Sequence, residues 1–381
     1  MKTDTTLLWM VPGGIAALAI TDFTSSLSLA EIIVFIVGVF AALLLVFILV
    51  YERFSKPGRD KRKRIEQIKE LPRALTAQEE SSSVRLGVDQ ELKIPIFLPD
   101  MLRSKHVHIL GATGSGKTES VILNFLRQDI ARGLGSIILD AKGDVSFLKA
   151  LRDWIPSDRL KVFDLSAEQT LSYDPVAAGS PLEAAQRLFS SLTWSEEYYK
   201  SKAFSALQKL FLYHYESQDR NPRLTELDRY LQDAESYAAF TQDKTDTKKA
   251  AEKEFADLSG LRDQIKILTL GHLAKTLSPE SGAPQIDLSQ VSDGAVIYFR
   301  LQSLLSPQIV SILGKLLIQH LNYLAGTAHR SENGFSNGRL IPTYLDEFAS
   351  FACPEFADLI SKARSAGFAL HFSHQSVGDL S

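Results

Sequence analysis

Eight consecutive residues, Gly111-Ala112-Thr113-Gly114-Ser115-Gly116-Lys117-Thr118, fit the pattern G-x-x-x-x-G-K-[ST]. Glycines in such a loop let successive backbone N–H groups converge on phosphate oxygens. The lysine reaches β- and γ-phosphates, and the terminal hydroxyl ligates Mg²⁺ beside water and phosphate oxygens. A helix starting where the loop ends adds its dipole and its free N–H groups. The expected ligands are therefore ATP and Mg²⁺, with residues 111–118 on the nucleotide, Lys117 on its phosphates and Thr118 on the metal.

A second chemical signal is Asp346-Glu347, which ends the apolar run 340–345. Asp346 would hold Mg²⁺ through water, and Glu347 would polarise an attacking water. Acidic residues at strand ends are common; the phosphate loop elsewhere in the chain gives this pair its meaning. Pro342 lies inside the same run and belongs at the start of the strand. The interval from Lys117 to Asp346 is far longer than in a compact ATPase core. Leu258-Ser259-Gly260 is only a fragment of an LSGGQ signature. The spacing requires a sizeable insertion.

These residues need elements to hold them. Residues 105–110 read as a short strand running into the glycine loop. Residues 118–131 read as a helix, with Val121, Ile122, Phe125, Leu126 and Ile130 at helical spacing and Gly133 closing it. Strands are expected at 136–139 and 160–163, after a β-rich patch at 84–98. Strand, helix and strand in that order predict an α/β fold with a parallel sheet and right-handed crossovers. From 181 to 272 the sequence is helical, charged and nearly free of strand signals, the expected insertion. Strands return at 295–301, 340–345 and 369–373, with a long apolar helix at 307–324 and a Ser/Asn/Gly loop at 331–338. The implied domains are a membrane hairpin at 1–52, a charged linker at 53–85, a first motor part at 86–180, an inserted all-α domain at 181–285 and a second motor part at 286–381.

Residues 32–51 carry no charge, and about 20 such residues at 1.5 Å each cross the roughly 30 Å hydrocarbon core. Arg53, Lys56, Arg59, Lys61, Arg62, Lys63 and Arg64 follow, a basic flank that stays cytoplasmic and can touch anionic lipid. An earlier apolar stretch, 7–20, is shorter and contains Pro12, Gly13 and Gly14. With a strong second span behind it, it reads as the first arm of a membrane hairpin rather than a cleaved signal. The expected arrangement is a multi-pass membrane protein with both ends facing the cytoplasm.

Composition narrows the class. Aromatic residues at 9% exclude a wholly disordered chain. The lone Cys353 excludes a disulfide framework and a cysteine-rich zinc site, and it has no catalytic partner in view, so it is expected to be buried. A net charge of −3 gives no global basic signature, so any nucleic-acid contact must be local. The histidines show no metal-ligand spacing; His371 and His374 flank the last strand and read as structural.

Taken together, the sequence resembles the type IV secretion coupling proteins, the TraD/TraG-type conjugative DNA pumps. The resemblance rests on the membrane segment, the HILGATGSGKTES loop ending at 120, DAKGD at 140–144, YDPV at 173–176, the helical insertion, YLDEFAS at 344–350 and ARSAGFALHFSHQS at 363–376. It implies a RecA-like P-loop NTPase motor, an inserted all-α domain that contacts substrate, and homo-hexamers around a channel. ATP would drive movement of DNA, single-stranded and bound to a relaxase, toward inner-membrane components of the secretion channel. By motif match Gln375 corresponds to a glutamine that senses the γ-phosphate. Arg364 corresponds to an arginine supplied to a neighbouring subunit's site. Asp140, Lys142 and Asp144 match a turn near the phosphates, where Lys142 would meet phosphate, pair with Asp346 or stay solvated.

Trp194, Tyr198, Tyr199, Lys200 and Lys202 interleave aromatic and basic residues in the insertion. Such a pattern binds DNA by stacking and phosphate contact, and more often records amphipathic helix packing. The resemblance also implies further motor strands beyond Gln375, so a piece of a longer protein or a truncated product is expected. Two other functions fit the same residues. One is a coupling ATPase that recruits protein effectors; the other is a catalytically inactive membrane scaffold. A chromosome-segregation pump fits less well, because its membrane region has more spans.

Overall fold

Short apolar runs, buried on both faces, lay down the sheet. The computed structural model describes residues 28–54, 81–91, 93–241, 248–328, 339–376 and 378. The chain divides into two compact units, Met1–Thr76 and Ala77–Ser381.

In the first unit α1 spans Leu29–Phe54. Ser28 starts it, donating from its N–H (2.8 Å) and Oγ (2.7 Å) to the Glu31 carboxylate. Within it Leu29–Tyr51 has a mean hydropathy of 3.4 and buries nothing against protein. At 1.5 Å per residue it is about 34 Å long, enough to cross a bilayer. It is the one helix among the described residues with that length and apolarity. The expected first arm at 7–20 and the basic residues at 56–64 lie outside the described residues.

The second unit opens with an antiparallel hairpin of β1 (Ser83–Val88) and β2 (Pro95–Pro99), so β1 begins inside the range read as linker. A four-residue helix, α2 (Asp100–Arg103), leads to β3 (Val107–Leu110) and the phosphate loop. A π-helical turn (Lys117–Ile122) runs into α3 (Leu123–Ala131), and Gly133 at φ +73° ends it. Then come β4 (Ser136–Asp140), α4 (Val145–Trp154) and β5 (Leu160–Asp164). The helical segment contains α5 (Pro181–Ser191), α6 (Glu197–Gln218), α7 (Leu224–Tyr230), α8 (Ala234–Thr241), α9 (Lys248–Ala256), α10 (Ser259–Leu268) and α11 (Leu273–Thr276). It is followed by β6 (Val296–Arg300), α12 (Pro307–Ala328), β7 (Ile341–Asp346), α13 (Phe356–Ala363) and β8 (Phe368–His374).

The six-stranded sheet has the order β3-β8-β7-β4-β6-β5, parallel throughout. Ile137, Leu139, Ile297 and Phe299 enter one apolar cluster, and Ile138, Val296, Tyr298 and Tyr344 enter the cluster on the other face. That second face is covered by α3 and α4. The first is covered by α12, α13 and the helical segment, whose Leu188, Leu207, Phe211, Leu227 and Leu261 belong to the same cluster as the sheet. These helices do not own a separate core. A Ser180/Glu183 capping box with Pro181 in the first turn fixes where the segment begins.

Pro342 is the second residue of β7, as the sequence requires. Ile341 N–H donates to Gly367 O on the β8 side, and the ladder to β4 starts at Thr343, so the missing proline N–H costs no ladder bond. All six strands point their C-terminal ends the same way, and the chemical residues gather there, the usual place for a ligand in a parallel sheet.

Candidate nucleotide-binding site

The loop after β3 turns through Gly114 (φ +77°) and Gly116 (φ +82°), torsions that an L side chain rarely adopts. A Cβ on Gly111 would lie 2.5 Å from Ser115 Oγ, so the turn also needs glycine for space. The Lys117 ammonium folds back and donates to Gly111 O at 2.5 Å and Ala112 O at 3.3 Å. The loop thus holds a cation over its own carbonyls, a charge that phosphate can recruit. The π-helical turn starting at Lys117 places Thr118 inward.

Thr118 Oγ1 donates to Asp346 Oδ2 at 2.7 Å. The other carboxylate oxygen accepts from Ser373 Oγ and from Glu347 N–H (3.1 Å), which leaves Asp346 only 3% exposed. A hydroxyl and a carboxylate already in contact are hard oxygen donors of the kind Mg²⁺ takes, with phosphate and water completing its shell. The donor set therefore fits the ion. Glu347 turns off the end of β7 in a left-handed conformation (φ 52°). Its Oε1 accepts from Gln375 Nε2 at 2.8 Å, while Gln375 Oε1 accepts from Thr113 Oγ1 at 2.8 Å. One amide thus links the phosphate loop to the acidic pair.

Asp140 is the register partner of Asp346 on β4 and is also buried. It accepts from Tyr298 OH (2.6 Å), Gly143 N–H (2.8 Å) and Asp144 N–H (3.2 Å). Burial raises its pKa above the ordinary carboxylate range, and the neighbouring Asp346 charge adds to this. Asp144 caps α4 by accepting from Ser146 N–H. Lys142 does not reach Asp346. It pairs with Asp144 at 3.3 Å and is largely solvated, because it points out of a turn whose inward group is Asp140.

Residues 111–118, Asp346, Glu347 and Gln375 therefore come together, and Arg364 does not join them. It is exposed in the turn Arg364–Ala366, before the N-terminal end of β8. Gln375 follows the far end, so the strand of seven residues separates the two by about 23 Å. Trp194 is half-buried, stacked on Phe189 at 5.5 Å, which is helix packing. Tyr198 and Tyr199 are exposed, with Tyr198 OH donating to Asp257 (2.8 Å) and Lys202 over its ring. Lys200 pairs with Glu197.

Cys353 is half-buried rather than enclosed, and burial pushes its thiol up to about 12. His371 and His374 lie within β8, not beside it, and both are buried. His374 shares a 2.6 Å Nε2–Nε2 contact with His108. Ser373, which fixes Asp346, carries no motif of its own. It shares a face of β8 with His371 by strand alternation.

The model of the helicase HerA central domain matches residues 84–302. No curated protein matches the sequence. Among solved structures the fold is similar to that of the unbound bacterial conjugative coupling protein TrwB (TM-score 0.58, 15% identity, covering 79% of this chain and 67% of that one). It is similar to the plasmid coupling protein TrwB in complex with ADP and Mg²⁺ (TM-score 0.56, 14% identity, 81% and 72%). It is also similar to VirB4 of Thermoanaerobacter pseudethanolicus (TM-score 0.53, 16% identity, 78% and 78%). At these identities the likeness establishes a TrwB-like P-loop NTPase fold. The matched family covers more than half of the chain, from the hairpin through the phosphate loop to the end of β6, and this protein belongs to the HerA helicase central-domain family.

Proposed function

We propose that the protein is a membrane-anchored ATPase that couples ATP hydrolysis to transfer of DNA, with its relaxase, into a type IV secretion channel. The observation that carries the reading is the closed constellation of Lys117, Thr118, Asp346, Glu347 and Gln375 at one end of a parallel sheet. Two solved likenesses support it, a plasmid coupling protein and one of its complexes with ADP and Mg²⁺.

Residues 111–118 bind the phosphates through backbone N–H groups, and Lys117 leaves its two carbonyls for the β- and γ-oxygens. Thr118 and Asp346 would hold Mg²⁺, which when bound neutralises charge on the phosphate oxygens. Glu347 accepts a proton from the attacking water. Gln375 orients Glu347 and, through Thr113, follows whether the loop is filled. Arg364 acts on the γ-phosphate of a neighbouring copy, because its own site is at the other end of the sheet; this reading requires a ring, taken as a hexamer. The domains follow the same division: a hairpin anchor at 1–52, a charged linker at 53–85, motor parts at 86–180 and 286–381, and substrate-facing helices at 181–285. The anchor lies in a bacterial inner membrane, with the motor in the cytoplasm near anionic lipid and the secretion components.

The test is nucleotide binding and phosphate release by the full chain in detergent, wild type beside Lys117→Ala. Wild type is expected to hydrolyse ATP with Mg²⁺, and the variant to lose at least about 100-fold in rate while still partitioning into membranes. Equal turnover by the variant would remove the site assignment.

A further inference from the structure

One strand layer beneath the phosphate site is a buried polar cluster that the proposed chemistry does not use. Its centre is Arg103, whose side chain is 0% exposed. All five guanidinium N–H donors are engaged. Nε donates to His371 Nε2 (3.1 Å); Nη1 donates to Asp100 (3.1 Å) and Asp129 Oδ1 (2.8 Å); Nη2 donates to Asp129 Oδ2 (2.7 Å) and Tyr344 OH (3.1 Å). Asp129 also accepts from Tyr344 OH and from Arg132 (2.6 Å), and Arg132 returns to Asp100 (2.7 Å). Two arginines face two aspartates, so the cluster is neutral and every Arg103 donor is satisfied, the condition under which buried charge is tolerated, while Arg132 Nε is left without an acceptor. His371 accepts at Nε2 from Arg103, so its proton is on Nδ1, near Thr343 O. Burial, with Arg103 adding to it, pushes its pKa down to about 3, which keeps this arrangement through the neutral range.

The attachments of the cluster are what matter. Asp129 is on α3, the helix that continues from the phosphate loop. Tyr344 is two residues before Asp346 on β7, and His371 is two before Ser373 on β8. Alternation along a strand puts each pair on one face. Arg103 therefore ties the helix that continues from the Thr118 turn to the two strands bearing Asp346 and the Ser373 hydroxyl that fixes it. A general structural ion pair would need neither the fork geometry nor contacts to both strands.

We propose that Arg103 is a positioning residue for the metal pocket: through Asp129, Tyr344 and His371 it sets the separation of Thr118 from Asp346. The inference rests on the nucleotide-site reading above. Lysine at 103 would keep the charge and lose the planar fork. Tyr344→Phe would cut only the link to β7 and leave the ion pair in place.

The experiment titrates full-length protein in detergent with a fluorescent ATP analogue, in EDTA and then across Mg²⁺ concentrations, beside thermal melts. For Arg103→Lys we expect nucleotide affinity in EDTA within about twofold of wild type, and half-saturation by Mg²⁺ raised about tenfold, the size seen when a group supporting a metal ligand is removed. Tyr344→Phe should move the same way by less. Should Arg103→Lys fail to fold, Tyr344→Phe alone decides. Wild-type Mg²⁺ half-saturation in a folded variant would overturn the proposal. So would a loss of EDTA affinity in proportion to the Mg²⁺ effect, which marks a merely structural role. If wild type itself binds no nucleotide, the site reading fails, and this inference with it.

Discussion

In the proposed mechanism hydrolysis turns on Glu347 and Gln375. The carboxylate is aimed by an amide whose other end is held by Thr113, and it sits beside a buried Asp346. Glu347→Gln keeps the shape and removes the base. It should bind ATP as wild type does and lose about 10²- to 10⁴-fold in turnover; stopped-flow binding with single-turnover hydrolysis separates the two. Retained turnover would move the base elsewhere. Glu347 was legible because a phosphate loop gives an acidic pair at a strand end its meaning; Gln375 was legible only through the family resemblance. Lys142 was legible as part of a turn, but not its partner, since Asp144 and Asp346 are equally acidic on paper and only the fold says which is near. Arg103 and Asp129 left no signal at all. An arginine ending a four-residue helix reads as solvated, and its burial depends on contacts from three distant segments.

Among elements, the strands were legible as short apolar runs, their parallel pairing from the strand-helix-strand order, and the helix after the phosphate loop from its periodicity. The helical segment was legible as helices, but not its sharing of one apolar cluster with the sheet. That depends on which faces meet. The long helix α12 shows what such packing does to a titrating group. His320 is buried against Tyr173, whose OH shares a 2.8 Å hydrogen bond with Nδ1, with Tyr323 and Arg187 also facing it. Burial, then the Arg187 charge, pushes it down to about 3. It is neutral in the native protein, while an exposed histidine takes up a proton below about pH 6.5. Its contribution to stability is therefore complete above about 6.5 and lost as pH falls toward 3. The nearby Asp174, raised to about 6 by burial, works in the opposite direction, so the histidine must be isolated by substitution. Denaturant melts from pH 7 to 5 should show wild type losing up to about 1.4 kcal/mol more per pH unit than His320→Gln. Parallel slopes would contradict the assignment.

At the scale of the whole molecule, an apolar helix of membrane-spanning length and a P-loop NTPase core share one chain. The net charge of −3 leaves no broad electrostatic footprint for a polyanion, so DNA would have to be held locally, at exposed positions such as Tyr198, Tyr199 and Lys202 or at a ring of copies. The membrane helix was plain in the sequence because bilayer thickness sets its length. The ring, and Arg364 in a neighbouring site, are what the family resemblance implies; the fold adds that Arg364 stands at the far end of β8 from its own phosphate loop. The measurement that bears most directly on the account is steady-state ATP hydrolysis by the full chain in detergent, with and without single-stranded DNA, at low and raised salt. The account predicts hydrolysis stimulated several-fold by DNA, with the stimulation fading as salt rises because phosphate contacts release counterions. Hydrolysis indifferent to DNA under all these conditions would contradict it.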